Sequence, residues 1–193
     1  MHEAMSPENQ AMQKSWCESR SEPIREGARK TVRETVATLK ANKIAIGPVI
    51  EIGPQRGYGL QEMKMHADSV TGIEVVPEFH EACLELGLDC ILGAAEDISE
   101  MELPGKHNYY IRETAEHFLD RDKAFKGIME NLLRWVFITV PIEPWEPKDK
   151  AHFSKFSSID EARGLFEGMT MIHEVTREPA GEMNGRYLGL WVK

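Results

Sequence analysis

Short apolar runs separated by amphipathic stretches make up most of the chain. From Pro23 to Ala41, apolar residues recur every three or four positions, which predicts an amphipathic helix over 23–41. Apolar runs that predict strands lie at 48–53, 69–76, 89–95, 109–111 and 135–140, and helical spacing lies at 58–67, 77–87 and 121–133. Strands that alternate with helices are typical of an α/β protein whose sheet is mostly parallel, with helices on both faces.

The C-terminal part departs from this alternation. Ser158 and Glu161 form a capping box at the start of a short helix. Two further strands are predicted at 169–177 and 185–192, with the hairpin dipeptide Asn184-Gly185 between them. The pattern therefore predicts a seven-stranded sheet that is mostly parallel and ends in an antiparallel hairpin.

Composition places the 193 residues among ordinary globular proteins, with 41% hydrophobic and 28% charged residues. We expect a polar tail over 1–22 and a single domain over 23–193, with its core at 45–193. No apolar run approaches the ~20 residues of a membrane span, and no signal-peptide core is present. Cys17, Cys83 and Cys90 form no C-x-x-C pair. They are therefore expected to be reduced thiols in a cytoplasmic protein, with no membrane partner.

The net charge of −9 argues against a nucleic-acid partner on electrostatic grounds. Association into a homodimer stays open. Residues 20–43 are an exception to this acidic balance, with seven basic and three acidic side chains. This basic helix is either a docking element or a solvated face with charge pairs at i,i+4 spacing. The solvated face is the favoured interpretation.

A glycine-rich turn follows the first predicted strand. That strand carries Glu51, and the turn has Gly53, Gly57 and Gly59, while the second strand ends in Glu74. An acid about 20 residues past a glycine turn is the usual ligand of a ribose diol, which predicts an adenosine-bearing cofactor. The order G-x-G-x-x-G is absent, and a carboxylate would repel a pyrophosphate but attract an ammonium or sulfonium. A nicotinamide-dependent oxidoreductase therefore ranks last.

In these features the chain resembles the class I S-adenosylmethionine (SAM) dependent methyltransferases, and among them the UbiE-like small-molecule branch (methyltransferase type 11). Their first motif is [DE]-x-G-x-G-x-G, and Gln55 stands where its middle glycine is usual. The resemblance covers about residues 45–193 and implies a Rossmann-like fold with SAM as the cofactor. It implies a cofactor site made of Glu51, Gly53, Gln55, Gly57, Glu74, Val75, Ala95, Glu96, Asp97 and Arg112.

Within that site the resemblance gives each group a role. The glycine loop would receive the methionine carboxylate, with Glu51 near the ammonium group. Glu74 would bind the ribose hydroxyls, and Val75 would pack on the adenine. After the third strand the family often reads G-D-A-E-D-[LI], but here Ala94 replaces the first acid. Glu96 or Asp97 would then substitute, or backbone groups around Ala95 and Glu96 would do so.

The segment after the fourth strand resembles the family pattern x-x-L-E-H-x-x-D. By position, Arg112 would lie near the methionine moiety, and Glu116 and His117 would lie at the mouth of the pocket. His117 is a candidate general base, although the dipeptide is also suited to cap and orient the loop. No H-x-x-x-H or H-E-x-x-H spacing occurs, so we expect no metal site. The loop after the fifth strand is rich in aromatic residues, which either form substrate walls, lining a pocket, or pack to hold a surface loop together. These residues are Trp145, His152, Phe153 and Phe156.

The function these features predict is methyl transfer from SAM to a small molecule or another exposed oxygen or nitrogen acceptor, such as a sugar or a phenol. Two alternatives stay open. One is a degenerate methyltransferase fold that binds SAM or a nucleotide without turnover, which the departures at Gln55 and Ala94 suggest. The other is a methyltransferase whose protein or RNA acceptor docks on the basic helix.

Overall fold

A computed structural model of the chain describes residues 21–145, 151–180 and 183–193. Within these ranges it has five α-helices and seven β-strands. In chain order they are α1 (Ser21–Ala41), β1 (Pro48–Ile52), α2 (Tyr58–Met63), β2 (Ser69–Glu74), α3 (Pro77–Glu85), β3 (Cys90–Leu92), β4 (His107–Arg112), α4 (Arg121–Asn131), β5 (Leu132–Ile142), α5 (Ile159–Gly164), β6 (Thr170–Arg177) and β7 (Gly185–Val192). Two 3₁₀ turns lie at Ala95–Glu100 and Ala115–His117.

The strands form one seven-stranded sheet in the order β3-β2-β1-β4-β5-β7-β6. The pairs β1/β2, β2/β3 and β4/β5 are parallel, whereas β7 runs antiparallel to both β5 and β6. This confirms the α/β class and the mostly parallel sheet with a terminal antiparallel hairpin. The described residues group into two compact units, one up to Ala94 and the other from Ala95 to Lys193. The prediction of a single domain over 23–193 stays a prediction.

In the first unit, α1 lies where the helical spacing predicts a helix. Its apolar face is buried, at Ala28, Val32, Val36 and Leu39. Two of its basic residues bind α2: Arg29 donates to the Gln61 side chain at 2.8 Å, and Arg33 pairs with Glu62 at 3.2 Å. Two of the basic side chains of α1 are therefore bound to α2 within the unit. This is expected for a helix that packs on one face and is solvated on the other.

In the second unit, aromatic side chains pack between the strands and the helices. Tyr110 of β4 stacks on Phe137 of β5, with ring centroids 4.7 Å apart and planes within 7°. Phe166 contacts both Phe125 of α4 and Trp191 of β7. These ring contacts join β4 to β5, and α4 to β7 through Phe166.

Several element ends differ from the prediction. The strand predicted over 135–140 extends to Ile142, through Pro141. Its ladder with β4 ends at Thr139, so at Pro141 only the side toward β7 is paired. A proline lacks one donor and is tolerated where one side of the strand has no neighbour. The strand β3 and the helix α2 are shorter than predicted, at Cys90–Leu92 and Tyr58–Met63.

No helix in the described ranges is both long enough and apolar enough to cross a membrane.

Candidate functional site

Glu74 ends β2 and is buried, with 3% of its surface exposed. Its carboxylate accepts two backbone N–H groups at 2.9 Å, from Gln55 to Oε2 and from Val76 to Oε1. Burial raises the pKa of Glu74 to about 7, although these hydrogen bonds act in the opposite direction. The acid predicted to bind a ribose is therefore held rigidly at the end of its strand.

The loop after β1 turns through left-handed backbone conformations. The φ angles are 66° at Gly53, 53° at Gln55 and 76° at Gly57. A left-handed φ is unfavourable for residues with a side chain, which explains why glycine is usual where this chain has Gln55. The Gln55 N–H donates to Glu74, so the unusual conformation is held by a buried hydrogen bond.

Gly57 is required by packing as well as by its φ angle. A Cβ at Gly57 would lie 2.7 Å from Leu88 Cδ1 and 3.1 Å from Cys83 Sγ. The Cys83 thiol also donates to the Gln55 carbonyl at 3.3 Å, and the neighbouring Cys90 together with burial raises its pKa. The side of Gly57 where a Cβ would stand is therefore occupied by protein atoms rather than left open for a ligand.

Glu51 is buried near the C-terminal end of β1, with 3% of its surface exposed. Its carboxylate lies over the first turn of α2, where a Cβ added to Gly59 would stand 2.5 Å from Glu51 Oε1. The third glycine of the motif therefore makes room for the acid of the same motif. Val75 is half-buried and packs on Val76 and Phe79 at the start of α3.

In the second unit, two of the three candidates after β3, Glu96 and Asp97, have side-chain partners within the protein. Ala95 is buried at the start of its 3₁₀ turn. Glu96 is also buried, and its Oε1 accepts the backbone N–H groups of Leu119 at 2.7 Å and Asp120 at 3.2 Å. Asp97 pairs with Lys123 at 3.2 Å. Glu96 therefore fixes the turn before α4, a role that its position in the motif does not reveal.

Arg112 ends β4 and is half-buried, and within the described residues its Nε makes no hydrogen bond. The next residue, Glu113, has a left-handed φ of 50° and exchanges hydrogen bonds with Thr139 of β5. It also pairs with Arg186 of β7 at 3.2 Å. Sequence reasoning missed Glu113, because nothing in the pattern marks its backbone conformation. The strained residue sets the direction of the chain into the loop that follows.

Glu116 and His117 lie in the 3₁₀ turn after β4. Glu116 is buried, with 3% of its surface exposed, and its Oε2 makes no hydrogen bond within the described residues. Burial raises the pKa of Glu116 well above its ordinary value, and the charges of Glu113 and Glu143 act in the same direction, against Arg112. His117 Nδ1 lies 2.9 Å from the Ala151 carbonyl oxygen, which can only accept, so Nδ1 carries the proton.

The loop after β5 brings a second histidine beside this turn. The rings of His117 and His152 pack edge to face, with centroids 5.0 Å apart. His152 Nδ1 lies 2.8 Å from Glu143 Oε2, and Asn184 donates to Glu143 Oε1 at 2.7 Å. One side-chain oxygen or nitrogen from each of Glu116, His117 and His152 lies within 4.8 Å of the other two. Sequence reasoning proposed His152 either as a substrate wall or as a packing residue of a surface loop, and it did not identify Glu143.

The remaining aromatic candidates have different environments. Phe156 is fully buried, and the Arg121 guanidinium lies over its ring at 4.9 Å, so this residue packs as a staple of the loop. Phe153 is 38% exposed and Trp145 is half-exposed. Only these two keep the exposure that a substrate wall needs.

No family model matches this sequence, and no match was found among curated proteins. Solved structures do match the fold. The N-methyltransferase NodS from Bradyrhizobium japonicum WM9 is 14% identical, with a TM-score of 0.67, over 90% of this chain and 98% of that one. The plantazolicin methyltransferase BamL, in complex with a desmethylPZN analog and SAH, is 14% identical, with a TM-score of 0.72, over 97% and 91%.

Magnesium protoporphyrin IX methyltransferase (ChlM) from Synechocystis PCC 6803, with bound SAH, is 11% identical, with a TM-score of 0.64, over 86% of this chain and 84% of that one. At this level of identity the likeness establishes the fold. The chain has the Rossmann-like fold of the class I SAM-dependent methyltransferases, as its glycine loop and terminal hairpin predict.

Proposed function

We propose that this protein is a SAM-dependent methyltransferase that acts on a small molecule with an oxygen or nitrogen acceptor. The observation that carries the proposal is the buried carboxylate of Glu74, fixed by the backbone N–H of Gln55 beside a left-handed glycine loop. Structures of the same fold, BamL and ChlM, are described with bound SAH, the demethylated form of SAM.

The first unit would hold the cofactor. A carboxylate oxygen has two lone pairs, so Glu74 can accept ribose hydroxyls while it keeps its two backbone hydrogen bonds. The turn at Gly53 and Gln55 would receive the methionine end, and the buried charge of Glu51 would favour the cationic cofactor over a pyrophosphate. When bound, SAM supplies a methyl group that its positive sulfur already activates, so the protein's task is mainly alignment.

The second unit would receive the acceptor. Glu116 and His117 lie together in the turn after β4, with His152 beside them. Nearby in sequence, Phe153 is exposed and Trp145 is half-exposed. With the Nδ1 proton of His117 directed at Ala151, the lone pair of that ring lies on Nε2. We assign Glu116 and His117 to the acceptor side of the reaction.

Calorimetry with SAH tests the cofactor half of the proposal. The wild-type chain should bind with micromolar affinity, and Glu74→Ala should weaken binding at least 30-fold because the ribose loses its acceptor. The matched control is Glu81→Ala, which removes an exposed acid from α3 and should leave the affinity unchanged. Equal affinities for all three proteins would contradict the proposed cofactor site.

Transfer of radiolabelled methyl groups from SAM to a panel of hydroxyl and amine compounds tests the activity itself. Incorporation into one chemical class would identify the acceptor. Tight SAH binding with no transfer to any compound, protein extract or RNA would instead favour the degenerate fold that binds SAM without turnover.

A further inference from the structure

Three side chains with metal-binding atoms meet in the loops after β4 and β5. The oxygen or nitrogen that each of Glu116, His117 and His152 offers lies within 4.8 Å of the other two. Ligands about 2.1 Å from a tetrahedral zinc ion lie about 3.4 Å apart. The three groups can therefore share one ion after side-chain movements of about 1 Å.

The proton positions on both rings suit such a site. His117 Nδ1 donates to the Ala151 carbonyl at 2.9 Å, and His152 Nδ1 donates to the Glu143 carboxylate at 2.8 Å. In each neutral ring this leaves the lone pair on Nε2. A histidine that binds a metal almost always donates its other N–H to a carbonyl or a carboxylate, which orients the ring. Both histidines have such a partner here.

The carboxylate of Glu116 provides an independent observation. Only 3% of this residue is exposed, and its Oε2 has no hydrogen-bond partner within the described residues. A buried carboxylate oxygen without a partner is costly, and a cation bound to it would remove that cost. Of the two nearby arginines, Arg186 forms an ion pair with Glu113. Arg112 acts on Glu116 through its positive charge.

The backbone holds the two loops together before any ion binds. Ser154 donates its N–H to the Glu116 carbonyl at 2.9 Å and its hydroxyl to the Phe118 carbonyl at 2.7 Å. Because these bonds fasten the loop that carries His152 to the turn that carries Glu116 and His117, the donor set is largely organised in advance.

We propose that Glu116, His117 and His152 bind one divalent transition-metal ion of the zinc type. Two imidazoles and one carboxylate suit Zn²⁺ and its first-row neighbours, whereas Mg²⁺ prefers a shell of oxygens and water. Three protein ligands leave a fourth position open. This last step rests on the proposed function: the open position would bind the oxygen or nitrogen of the acceptor, and His117 would then act as a ligand rather than as a free base.

Metal binding to the full-length, chelator-treated protein tests the site without any assay of activity. Calorimetry should show one Zn²⁺ per chain, with a dissociation constant in the micromolar range or below. Co²⁺ should give the visible absorption bands of a four-coordinate site, and Mg²⁺ should bind at least 100-fold more weakly than Zn²⁺. No stoichiometric Zn²⁺ binding would overturn the proposal, and Mg²⁺ binding of equal strength would overturn the choice of metal.

Variants identify the ligands. His152→Gln and Glu116→Gln should each weaken Zn²⁺ binding at least 10-fold and remove the Co²⁺ bands. Glu143→Gln should weaken it 10- to 100-fold, because His152 loses the partner that orients it. His173→Gln, on β6, is the matched control and should bind like wild type. Zn²⁺ binding that is unchanged in folded His152→Gln would refute the assignment, even if Glu116→Gln does not fold.

The experiments can reject the metal site and the proposed methyltransferase function independently of each other. SAH binding to the metal-free protein depends on Glu74, whereas Zn²⁺ binding depends on Glu116, His117 and His152. Stoichiometric Zn²⁺ with no SAH binding would leave the metal site in place and reject the function. The opposite result would keep the function and return His117 to the role of a candidate base.

Discussion

The Glu74 carboxylate accepts the backbone N–H of Gln55, with 2.9 Å between Oε2 and the amide nitrogen. This bond joins the end of β2 to the loop that follows β1. It holds a residue with a side chain in a conformation that glycine normally supplies. The acid that we assign to the ribose also shapes the loop that we assign to the methionine end.

The stability of the protein should depend on pH through Glu74. Its folded pKa of about 7 lies above the ordinary 4.5, so the folded protein binds a proton that the unfolded chain releases. The stability from this group is complete below about pH 4.5 and is lost as the pH rises through 7. In urea denaturation, the unfolding free energy of Glu74→Gln minus that of wild type should rise by up to about 3 kcal/mol between pH 5 and 8. Because both proteins contain the other titrating groups, such as Glu116, the contributions of those groups cancel in this difference. A difference in unfolding free energy that does not change with pH would contradict the prediction.

SAH affinity should rise with pH over a similar range. Ribose hydroxyls donate hydrogen bonds, so they favour the ionised form of Glu74 over the protonated form. We expect the dissociation constant to fall by about 10-fold between pH 6 and 8, measured by calorimetry. Glu74→Gln, which cannot ionise, should bind weakly at both pH values, and a wild-type affinity that does not change would exclude Glu74 as the titrating group.

Substitutions at Gln55 should follow the cost of a left-handed backbone. Gln55→Gly removes about 1 kcal/mol of strain but adds flexibility to the unfolded chain, so its unfolding free energy should stay within about 1 kcal/mol of wild type. Gln55→Asn should behave similarly. Gln55→Val should lose roughly 1–3 kcal/mol, because a β-branched residue is strained at a φ of 53°. Urea denaturation measures all three, and a neutral Gln55→Val would show that the loop changes conformation easily.

Gly59→Ala should destabilise the protein although it lies in a helix. Its new Cβ would meet the Glu51 carboxylate at 2.5 Å, and such overpacking costs about 1–3 kcal/mol. The double variant Glu51→Ala with Gly59→Ala should recover most of that loss in chemical denaturation. Gly27→Ala in α1, where nothing lies within 4 Å of the new Cβ, is the control and should gain roughly 0.5–1 kcal/mol. Equal effects at the two glycines would mean that Glu51 simply moves aside.

Leu39→Ala should test whether α1 belongs to the folded unit. Leu39 is fully buried, so its truncation should cost about 2–5 kcal/mol of unfolding free energy. The adjacent Lys40 is exposed, and Lys40→Ala should stay within about 0.5 kcal/mol of wild type. A small effect at Leu39 would indicate that the helix is a detachable docking element instead.

The strands could be predicted from sequence because parallel strands appear as short apolar runs. Their ends could not, since these depend on neighbours that are distant in the chain. The strand predicted over 135–140 does not end before Pro141: β5 continues to Ile142 because β7 pairs with it beyond the last β4 contact at Thr139. Likewise, β3 ends at Leu92 rather than Ala95, because Ala95 already begins a 3₁₀ turn.

The cofactor motif could be recognised from spacing, but the partners of its residues could not. Nothing local shows that Glu96 accepts the N–H groups of Leu119 and Asp120. The expectation of no metal site relied on ligand spacing within single helices. His117 and His152 come together only because the loops after two neighbouring strands, β4 and β5, meet.

Asn184 gives the terminal hairpin an influence beyond the edge of the sheet. It precedes β7 and donates to Glu143, which in turn accepts the N–H of His152. Replacement of Asn184 would therefore change the hydrogen bonding of Glu143 and, through Glu143, the orientation of the His152 imidazole. Redesign of that bend is a route to adjusting reactivity while the central strands stay intact.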